Sequence, residues 1–202
     1  MSAKVRAATI AVDIDDVLFP FVEGIADYHN DVTGSNLTLD DYATFDFSAI
    51  WGLDAAAAEE IVGDFMQGDN LHMQPLAGAR DALRRLSQNY NVVLVTARNQ
   101  YFEADTIAWL ERHLSGLFQK VIFAGNPHDG RLYRPKGEVC RELGVELLID
   151  DHPRNLLSAA EHGIDGVLFG LKPWSVLDGV STRITPCRDW SAVMEHIYHG
   201  RS

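Results

Sequence analysis

Short runs of apolar residues recur along the chain, and each run ends at polar residues or at glycine. The five clearest runs cover residues 7–12, 92–95, 121–123, 145–149 and 166–169. Each run is too short for a buried helix and suits a strand that is covered on both faces. The pattern therefore predicts five strands of a mostly parallel sheet.

Between these runs, apolar residues recur at the spacing of a helix. This spacing covers residues 78–88, 104–114 and 136–143, and a further helix is expected over 155–162, where Gly163 ends it. Strands that alternate with helices form βαβ units, in which the helices cover the sheet. The expected fold class is therefore α/β, with a Rossmann-like parallel sheet and helices on both faces.

One long segment, residues 19–74, interrupts this alternation. It is rich in aromatic residues, its pattern predicts helices over 22–30 and 55–66, and it contains no convincing strand pattern. We expect it to form a small helical cap domain that is inserted after the first strand. Residues 1–18 and 75–202 would then form the α/β core domain.

Composition and charge narrow the classes of partner. Apolar residues make up 47% of the 202 residues, which is enough for a sizeable core, and the formal net charge is −12. This charge disfavours a nucleic-acid polymer, which needs a basic surface. No stretch approaches the roughly 18 apolar residues of a membrane span, and the first residues lack the apolar run of a signal peptide. We expect a cytoplasmic protein with no membrane partner, in which Cys140 and Cys187 stay reduced.

Polar residues that can carry chemistry follow the predicted strands. In a parallel sheet the carboxyl ends of the strands meet at one edge, and ligands bind beyond that edge. Acids follow the first and fourth strands, a threonine ends the second, and a lysine opens the helix before the fourth: Asp13, Asp15, Asp16, Thr96, Lys136, Asp150 and Asp151. We expect these side chains to converge.

This set of side chains suits phosphoryl transfer. Several carboxylates in one place repel each other unless a cation lies among them, and such oxygen ligands suit Mg²⁺. One carboxylate can attack phosphorus to give an aspartyl-phosphate, while a second protonates the leaving oxygen and then activates water. Thr96 and Lys136 offer a hydroxyl and an ammonium group to the phosphoryl oxygens. The residues predict a Mg²⁺-dependent phosphohydrolase whose substrate is a small phosphorylated metabolite.

The same residues resemble the four motifs of the haloacid dehalogenase (HAD) superfamily, in the same order. Residues 12–18 match the first motif, 93–96 the second, Lys136 the third and 148–151 the fourth. The resemblance implies a HAD-like core with a cap at the inserted segment. This agrees with the pattern of strands and helices.

The resemblance also implies a role for each catalytic residue. Asp13 would be the nucleophile that forms the aspartyl-phosphate, and Asp15 would be the general acid and base. Thr96 would bind phosphate, and Lys136 would steady both the nucleophile and the phosphoenzyme.

For the metal, the resemblance implies Mg²⁺ as the cofactor. The ligands would be Asp13, the backbone carbonyl of Asp15 and one acid of the Asp150–Asp151 pair. Asp151 is favoured as the direct ligand, because family members with a single acid in this motif align it with the second position. Asp150 is the alternative.

Within the superfamily, the chain is most similar to the 5′(3′)-deoxyribonucleotidases, which implies a (deoxy)nucleoside monophosphate as substrate. The similarity lies in an aromatic residue after the first motif and in four short segments: Phe21, 76–79, 96–98, 172–174 and 189–190. Asp16 departs from this group, in which glycine is common at that position.

Aromatic residues of the predicted cap offer a surface for a nucleotide base. Phe21, Phe45, Phe47 and Trp51 could stack on a base, or they could form the core of the cap itself. Arg98 could contact the substrate phosphate or form a surface salt bridge. We predict Phe21, Phe45, Phe47 and Arg98 as substrate-binding residues, with the structural role as the alternative for each.

Three assignments stay open on the sequence. Lys120 and Lys172 compete with Lys136 for the third motif, although the room for one helix and one strand before Asp150 favours Lys136. Asp16 could cap the helix that follows it or add charge at the pocket. His152 could likewise cap the helix that follows it or contact the site.

Other functions compete with nucleotide hydrolysis. A HAD phosphatase could act instead on a sugar phosphate or another metabolite. A non-catalytic HAD-like or phosphate-binding protein is a further alternative, although such a protein would more easily have lost one of the motif groups. Dehalogenases need no Mg²⁺, and phosphorylation-receiver domains carry their acids, threonine and lysine in another order, so both fit the sequence less well.

Overall fold

A six-stranded parallel sheet forms the centre of the molecule. The structure is a computed structural model that describes residues 7–125, 133–176 and 181–200. The strands are β1 Thr9–Val12, β2 Asn91–Thr96, β3 Val121–Phe123, β4 Val145–Asp150, β5 Asp165–Phe169 and β6 Ile184–Cys187. Their order in the sheet is β3-β2-β1-β4-β5-β6, and every neighbouring pair is parallel. The first strand therefore lies in the interior of the sheet, between β2 and β4.

Helices lie between most of the strands, and one helix follows the last strand. The helices are α1 Phe21–Thr33, α2 Phe47–Trp51, α3 Ala55–Gln67, α4 Ala79–Leu86, α5 Glu103–Leu114, α6 Lys136–Leu143, α7 Pro153–Glu161 and α8 Trp190–His199, with short 3₁₀ turns at Leu39–Asp41 and Gln100–Phe102. The first three of these helices lie between β1 and α4, within residues 19–74, which we call the inserted segment.

Both faces of the sheet are covered by packed side chains. Successive residues of each strand point to opposite faces and so contribute to different hydrophobic clusters. On β1, Ile10 and Val12 face one hydrophobic cluster, which includes residues of α4, α5, α8 and the inserted segment. Ala11 faces the other cluster, to which α6 and α7 contribute Val139 and Leu156. The α/β fold class predicted from the sequence is confirmed.

The five predicted strands are all present, with bounds that differ by at most two residues from the predicted ones. The sixth strand, β6, was not predicted, and its sequence explains why: among its four residues, Ile184 and Cys187 are buried while Pro186 is exposed. Proline is tolerated there because β6 is an edge strand. Helix α8 and the short helix α2 were not predicted either.

The inserted segment returns to the core through residues that α5 holds by hydrogen bonds. Trp109 Nε1 donates to the carbonyl of Met73 at 2.9 Å, and His113 Nε2 lies 2.9 Å from the carbonyl of Leu71. These contacts fix the backbone just before α4, at one of the two connections between the inserted segment and the sheet.

Two further expectations concern the whole chain. Within the described ranges, none of the helices combines the length and the apolar character that crossing a bilayer requires. Cys140 and Cys187 are both buried and unpaired, as expected.

Candidate active site

The first strand delivers Asp13 to the carboxyl edge of the sheet. The backbone N–H of Asp13 donates to the carbonyl of Ile149 on β4 at 2.9 Å, which extends the pairing of the two strands. The backbone N–H of Ile14 donates to Asp13 Oδ1 at 2.7 Å. Asp13 is 5% exposed. Its carboxylate is therefore fixed in orientation and largely shielded from water.

Lys136 lies between two of the predicted acids. It begins α6, and its Nζ is 2.7 Å from Asp13 Oδ2 and 2.7 Å from Asp150 Oδ2. Burial lowers the pKa of this ammonium group, but the two carboxylates raise it by more, so that the pKa lies above its usual range. Lys136 is therefore charged. Of the rival lysines, Lys120 is exposed and Lys172 lies over an aromatic ring.

Asp150 is enclosed by hydrogen-bond donors. Besides the ammonium group of Lys136, its carboxylate accepts the backbone N–H of His152 at 2.9 Å. Asn155 Nδ2 donates to the same carboxylate, at 2.9 Å from Oδ1 and 3.2 Å from Oδ2. Both oxygens of Asp150 are thus engaged by the protein, which suits an acid that organises the site.

Asp151 has a different environment. Trp174 Nε1 donates to its Oδ2 at 2.6 Å, and Ser175 Oγ donates to its backbone carbonyl at 2.8 Å. Within the described residues, the Trp174 indole is the one side chain that donates to the Asp151 carboxylate. More of its acceptor capacity is therefore left for a ligand than at Asp150.

Three carboxylates meet beside Lys136. Asp13, Asp150 and Asp151 each bring one oxygen to within 4.8 Å of the others. Burial raises the pKa of Asp13 and of Asp151 well above the usual range; neighbouring carboxylates add to the shift and Lys136 opposes it. When ionised, three acids beside one ammonium group carry a surplus of negative charge. A divalent cation would neutralise it, and carboxylate oxygens fit Mg²⁺ better than they fit softer metals.

The carboxylate of Asp15 is held apart from this cluster by Arg98. Arg98 Nε donates to the two Asp15 oxygens at 3.1 and 3.0 Å, and Nη2 donates to Oδ1 at 2.6 Å. Nη1 donates to Thr106 Oγ1 at 3.0 Å, and the guanidinium carbon lies 4.7 Å from the centre of the Phe19 ring. Arg98 is 8% exposed and the Asp15 side chain is 23% exposed, so this is a partly buried pair and not a surface salt bridge.

Thr96 ends β2 and is fully buried. Since β2 pairs with β1, the threonine lies at the same edge of the sheet as Asp13. Its Oγ1 accepts the backbone N–H of Arg98 at 3.0 Å. One short segment therefore supplies both the predicted phosphate-binding hydroxyl and the partner of Asp15.

Asp16 acts as a cap for α1. Its two carboxylate oxygens each lie 3.2 Å from the backbone nitrogen of Val22, which donates to them in the first turn of the helix. Its backbone φ is 54°, a left-handed conformation that glycine adopts freely and aspartate adopts more readily than most residues. Burial, and then the charge of Asp15, raises the pKa of Asp16 to about 8.

Of the aromatic candidates in the inserted segment, Phe45 packs against residues that lie next to the Asp150–Asp151 pair. Its ring stacks on His152 with 5.3 Å between the ring centres, and its edge contact with Trp174 has the same separation. Phe47 stacks on Trp51 at 5.0 Å and contacts Phe21, so that these three residues form part of the packing of the inserted segment.

Several residues of the site were not found by sequence reasoning. Asn155, Trp174 and Ser175 contact the Asp150–Asp151 pair, yet sequence analysis noted Trp174 only as part of a family resemblance. A buried indole N–H needs an acceptor, but nothing in the sequence indicates which one. His152 begins α7 as its cap, since Nδ1 accepts the N–H of Arg154 at 3.2 Å.

Two surface cavities lie outside the candidate site. A cavity of about 350 Å³ lies between α4 and α8, lined by Trp190 and Met194 among others. A second cavity of about 220 Å³ is lined by residues between Gln74 and Asp81 together with His113. Neither is lined by Asp13, Asp15, Asp150 or Asp151. The clustered charges identify the candidate site.

Comparison with known families gives one match. The family described as 5′ nucleotidase, deoxy (pyrimidine), cytosolic type C protein matches residues 6–174, a range that includes the acids, Thr96 and Lys136. A comparison with curated protein sequences gave no match.

Solved structures with a similar fold include three hydrolases of low sequence identity. The HAD-hydrolase YfnB from Bacillus subtilis, bound to magnesium, is 18% identical with a TM-score of 0.66, covering 96% of this chain and 99% of that one. L-2-haloacid dehalogenase from Xanthobacter autotrophicus is 10% identical with a TM-score of 0.64 and the same coverage. D,D-heptose 1,7-bisphosphate phosphatase from B. bronchiseptica, with magnesium and phosphate, is 16% identical with a TM-score of 0.58 and the same coverage. These likenesses establish the HAD fold.

Proposed function

Since the chain belongs to the 5′ nucleotidase, deoxy (pyrimidine), cytosolic type C protein family, we propose that it is a Mg²⁺-dependent nucleotidase acting on (deoxy)nucleoside monophosphates. The observation that carries the proposal is the buried Asp13 carboxylate. It lies 2.7 Å from the Lys136 ammonium group and in one cluster with Asp150 and Asp151. A nucleophile is thus held beside a positive charge, at the sheet edge where ligands of such folds bind.

The first half-reaction transfers the phosphoryl group to Asp13. A carboxylate oxygen of Asp13 bonds to phosphorus while the bond from phosphorus to the ester oxygen breaks, which gives an aspartyl-phosphate. Asp15, as the general acid of the proposal, gives a proton to the leaving oxygen, so that the nucleoside departs as a neutral alcohol. Lys136 and the hydroxyl of Thr96 stabilise the charge on the phosphoryl oxygens.

The second half-reaction returns the enzyme to its starting state. Water attacks the phosphorus of the aspartyl-phosphate and passes a proton to the Asp15 carboxylate. The bond from phosphorus to Asp13 breaks, inorganic phosphate leaves, and Asp15 is protonated again.

Arg98 orients Asp15 in this proposal. Its Nε and Nη2 bind the Asp15 carboxylate from two directions, and Nη1 is fixed by Thr106. A guanidinium group engaged in this way positions the acid and base. The contact with substrate that the sequence predicts for Arg98 is the alternative.

A divalent cation would be held by Asp13 and Asp151, with the backbone carbonyl of Asp15 as the further ligand that the family resemblance implies. When bound, Mg²⁺ neutralises the surplus charge of the acids and of the substrate phosphate. Burial raises the pKa of Asp13, and a cation beside it would act in the opposite direction and favour the ionised nucleophile. This effect supports a requirement for Mg²⁺.

The matched family supports a nucleotide as substrate, and Phe45 supplies a ring near the acids on which a base can stack. The fold of the heptose bisphosphate phosphatase is also similar, so a sugar phosphate is the rival substrate class. We assign residues 19–74 the role of a cap that selects between these classes.

Phosphate release from a panel of substrates tests the proposal. Deoxy- and ribonucleoside monophosphates and sugar phosphates are incubated with the enzyme, with Mg²⁺ and with EDTA. We expect turnover of nucleotides with Mg²⁺, and a loss of at least about 10³-fold in the Asp13→Asn variant, which keeps the size of the side chain but removes the nucleophile.

The matched control is Asp31→Asn, at an exposed acid of α1, which should keep full activity. Full activity of Asp13→Asn would sink the proposed mechanism. Turnover of sugar phosphates alone would replace the nucleotide by the rival class and leave the chemistry at Asp13 intact.

A further inference from the structure

Trp174 and its neighbour hold Asp151 at two points. The indole Nε1 donates to Asp151 Oδ2 at 2.6 Å, and Ser175 Oγ donates to the backbone carbonyl of Asp151 at 2.8 Å. Trp174 is 6% exposed, so this hydrogen bond lies away from water. Both the backbone and the carboxylate of Asp151 are therefore positioned by the loop that follows β5.

The same indole contacts the inserted segment. The ring centre of Phe45 lies 5.3 Å from that of Trp174 in an edge-to-face arrangement at 67°. Phe45 also stacks on His152, the residue that follows Asp151, at 5.3 Å and 21°. A single side chain of the inserted segment thus packs against the donor to Asp151 and against its neighbour in sequence.

We propose that Trp174 is a positioning residue that holds Asp151 for a divalent cation and ties the position of the inserted segment, through Phe45, to the occupation of that site. The inference rests on the proposed function only in treating Asp151 as a cation ligand.

The physical basis is the orientation of a ligand by its partner. Groups that hydrogen-bond to a metal ligand fix its direction, and their loss typically weakens metal binding by about 10- to 100-fold. If Phe45 stabilises the indole in its place, then the packing of the inserted segment favours cation binding. By thermodynamic linkage, the cation favours that packing to the same extent.

The test measures binding of Mn²⁺ alone, by titration calorimetry and without substrate. Trp174→Phe keeps a ring for Phe45 but removes the N–H donor, and Phe45→Leu keeps apolar bulk but removes the ring. We expect Trp174→Phe to weaken Mn²⁺ binding by about tenfold or more and Phe45→Leu by a smaller factor. In the double variant the effects should not multiply, because Phe45 acts through Trp174.

The matched control is Trp190→Phe. Trp190 is also buried, and its Nε1 donates to the carbonyl of Val17 at 2.9 Å. The Trp190→Phe variant should lose stability to a similar degree as Trp174→Phe. Its Mn²⁺ affinity should stay within about twofold of that of the parent protein. Thermal unfolding of each variant separates loss of affinity from loss of fold.

Three results would overturn the inference. The first is a Mn²⁺ affinity of Trp174→Phe that lies within about twofold of that of the parent protein. The second is a double variant in which the two effects on affinity multiply, because this would show that Phe45 does not act through Trp174. A parent that binds no Mn²⁺ would be the third. Mn²⁺ binding with the expected variant pattern but without phosphate release would contradict the proposed function and leave this inference standing.

Discussion

The two cationic residues near Asp13, Lys136 and Arg98, form ion pairs with different partners. Lys136 is 2% exposed and shared between two carboxylates, whereas the guanidinium group of Arg98 is engaged by Asp15. Breaking a buried pair by removing one partner leaves an uncompensated charge, and that cost exceeds the net value of the pair. The two cations therefore give different predictions when they are replaced.

Replacing Lys136 by methionine should lower the free energy of unfolding by about 3–5 kcal/mol, since Asp13 and Asp150 would stay buried without their partner. Activity should be lost as well. Urea unfolding at neutral pH, without added metal, measures the first effect. Lys120→Met, at an exposed lysine, should change stability by less than about 0.5 kcal/mol; equal losses in both variants would contradict the position of Lys136.

Replacing Arg98 by lysine should lower kcat by about 10- to 100-fold and leave KM nearly unchanged, because the fork that orients Asp15 is lost while substrate contacts stay. Steady-state kinetics with a nucleoside monophosphate measures both constants. Guanidinium ion added to Arg98→Ala should restore part of kcat. A raised KM with unchanged kcat would instead favour the direct phosphate contact that the sequence predicted.

At the scale of elements, the position of Lys136 depends on how α6 packs against α7. Gly137, the second residue of α6, has no room for a larger side chain: a Cβ there would overlap the backbone carbonyl of Ser158. The lack of a side chain allows the two helices to approach closely. Any displacement of α6 would move the ammonium group away from Asp13.

Gly137→Ala should therefore lower the free energy of unfolding by about 1–3 kcal/mol and reduce activity, although alanine favours helices. Gly63→Ala in α3 is the matched control, because the nearest atom to its new Cβ would be Gln67 Nε2 at 3.8 Å. It should be neutral, or stabilising by up to about 1 kcal/mol. Denaturant unfolding of both variants tests this, and equal stability of the two would refute the close packing.

At the scale of the whole molecule, the site is assembled from separate parts of the chain. Asp13 follows β1, Thr96 ends β2, Lys136 opens α6, and the acid pair lies at the end of β4. These elements meet because β1 lies between β2 and β4. A cation bound by the acids would link the parts, so binding should stabilise the whole fold.

Mg²⁺ should raise the melting temperature of the protein. At a hundredfold excess over its Kd, the added stability is about 2.7 kcal/mol if only the folded state binds the ion. Differential scanning calorimetry with Mg²⁺, and with NaCl of matched ionic strength, measures the shift. The shift should be much smaller in Asp151→Asn, and a shift of equal size in that variant would exclude Asp151 as a ligand.

The sequence predicted those parts of the fold that depend on the pattern of residues close together along the chain. Strands buried on both faces read as apolar runs, and acids at their ends mark the ligand-binding edge. The missed helix α8 had such a signal too, since Trp190, Val193, Met194 and Ile197 form a helical stripe and Asp189 accepts the N–H of Ala192 as a cap. Strand β6 had no comparable pattern.

The contacts that define the site's chemistry could not be predicted, because they join residues far apart in sequence. The pair between Asp15 and Arg98 spans 83 positions, and the bond from Trp174 to Asp151 spans 23. The sequence therefore identified the acids but not which partner orients each of them. It is these partners that distinguish Asp150, enclosed by donors, from Asp151.

The interior position of β1 has a consequence for synthesis of the protein. The strand that carries Asp13 is translated before both of its neighbours in the sheet, residues 91–96 and 145–150. Pairing on both sides must therefore wait until residue 150 has been translated, and until then at least one edge of this apolar strand stays exposed. The helices of the inserted segment depend on nearer contacts and can form earlier. Nascent chains that stop before residue 145 would then be the ones that chaperones are expected to bind.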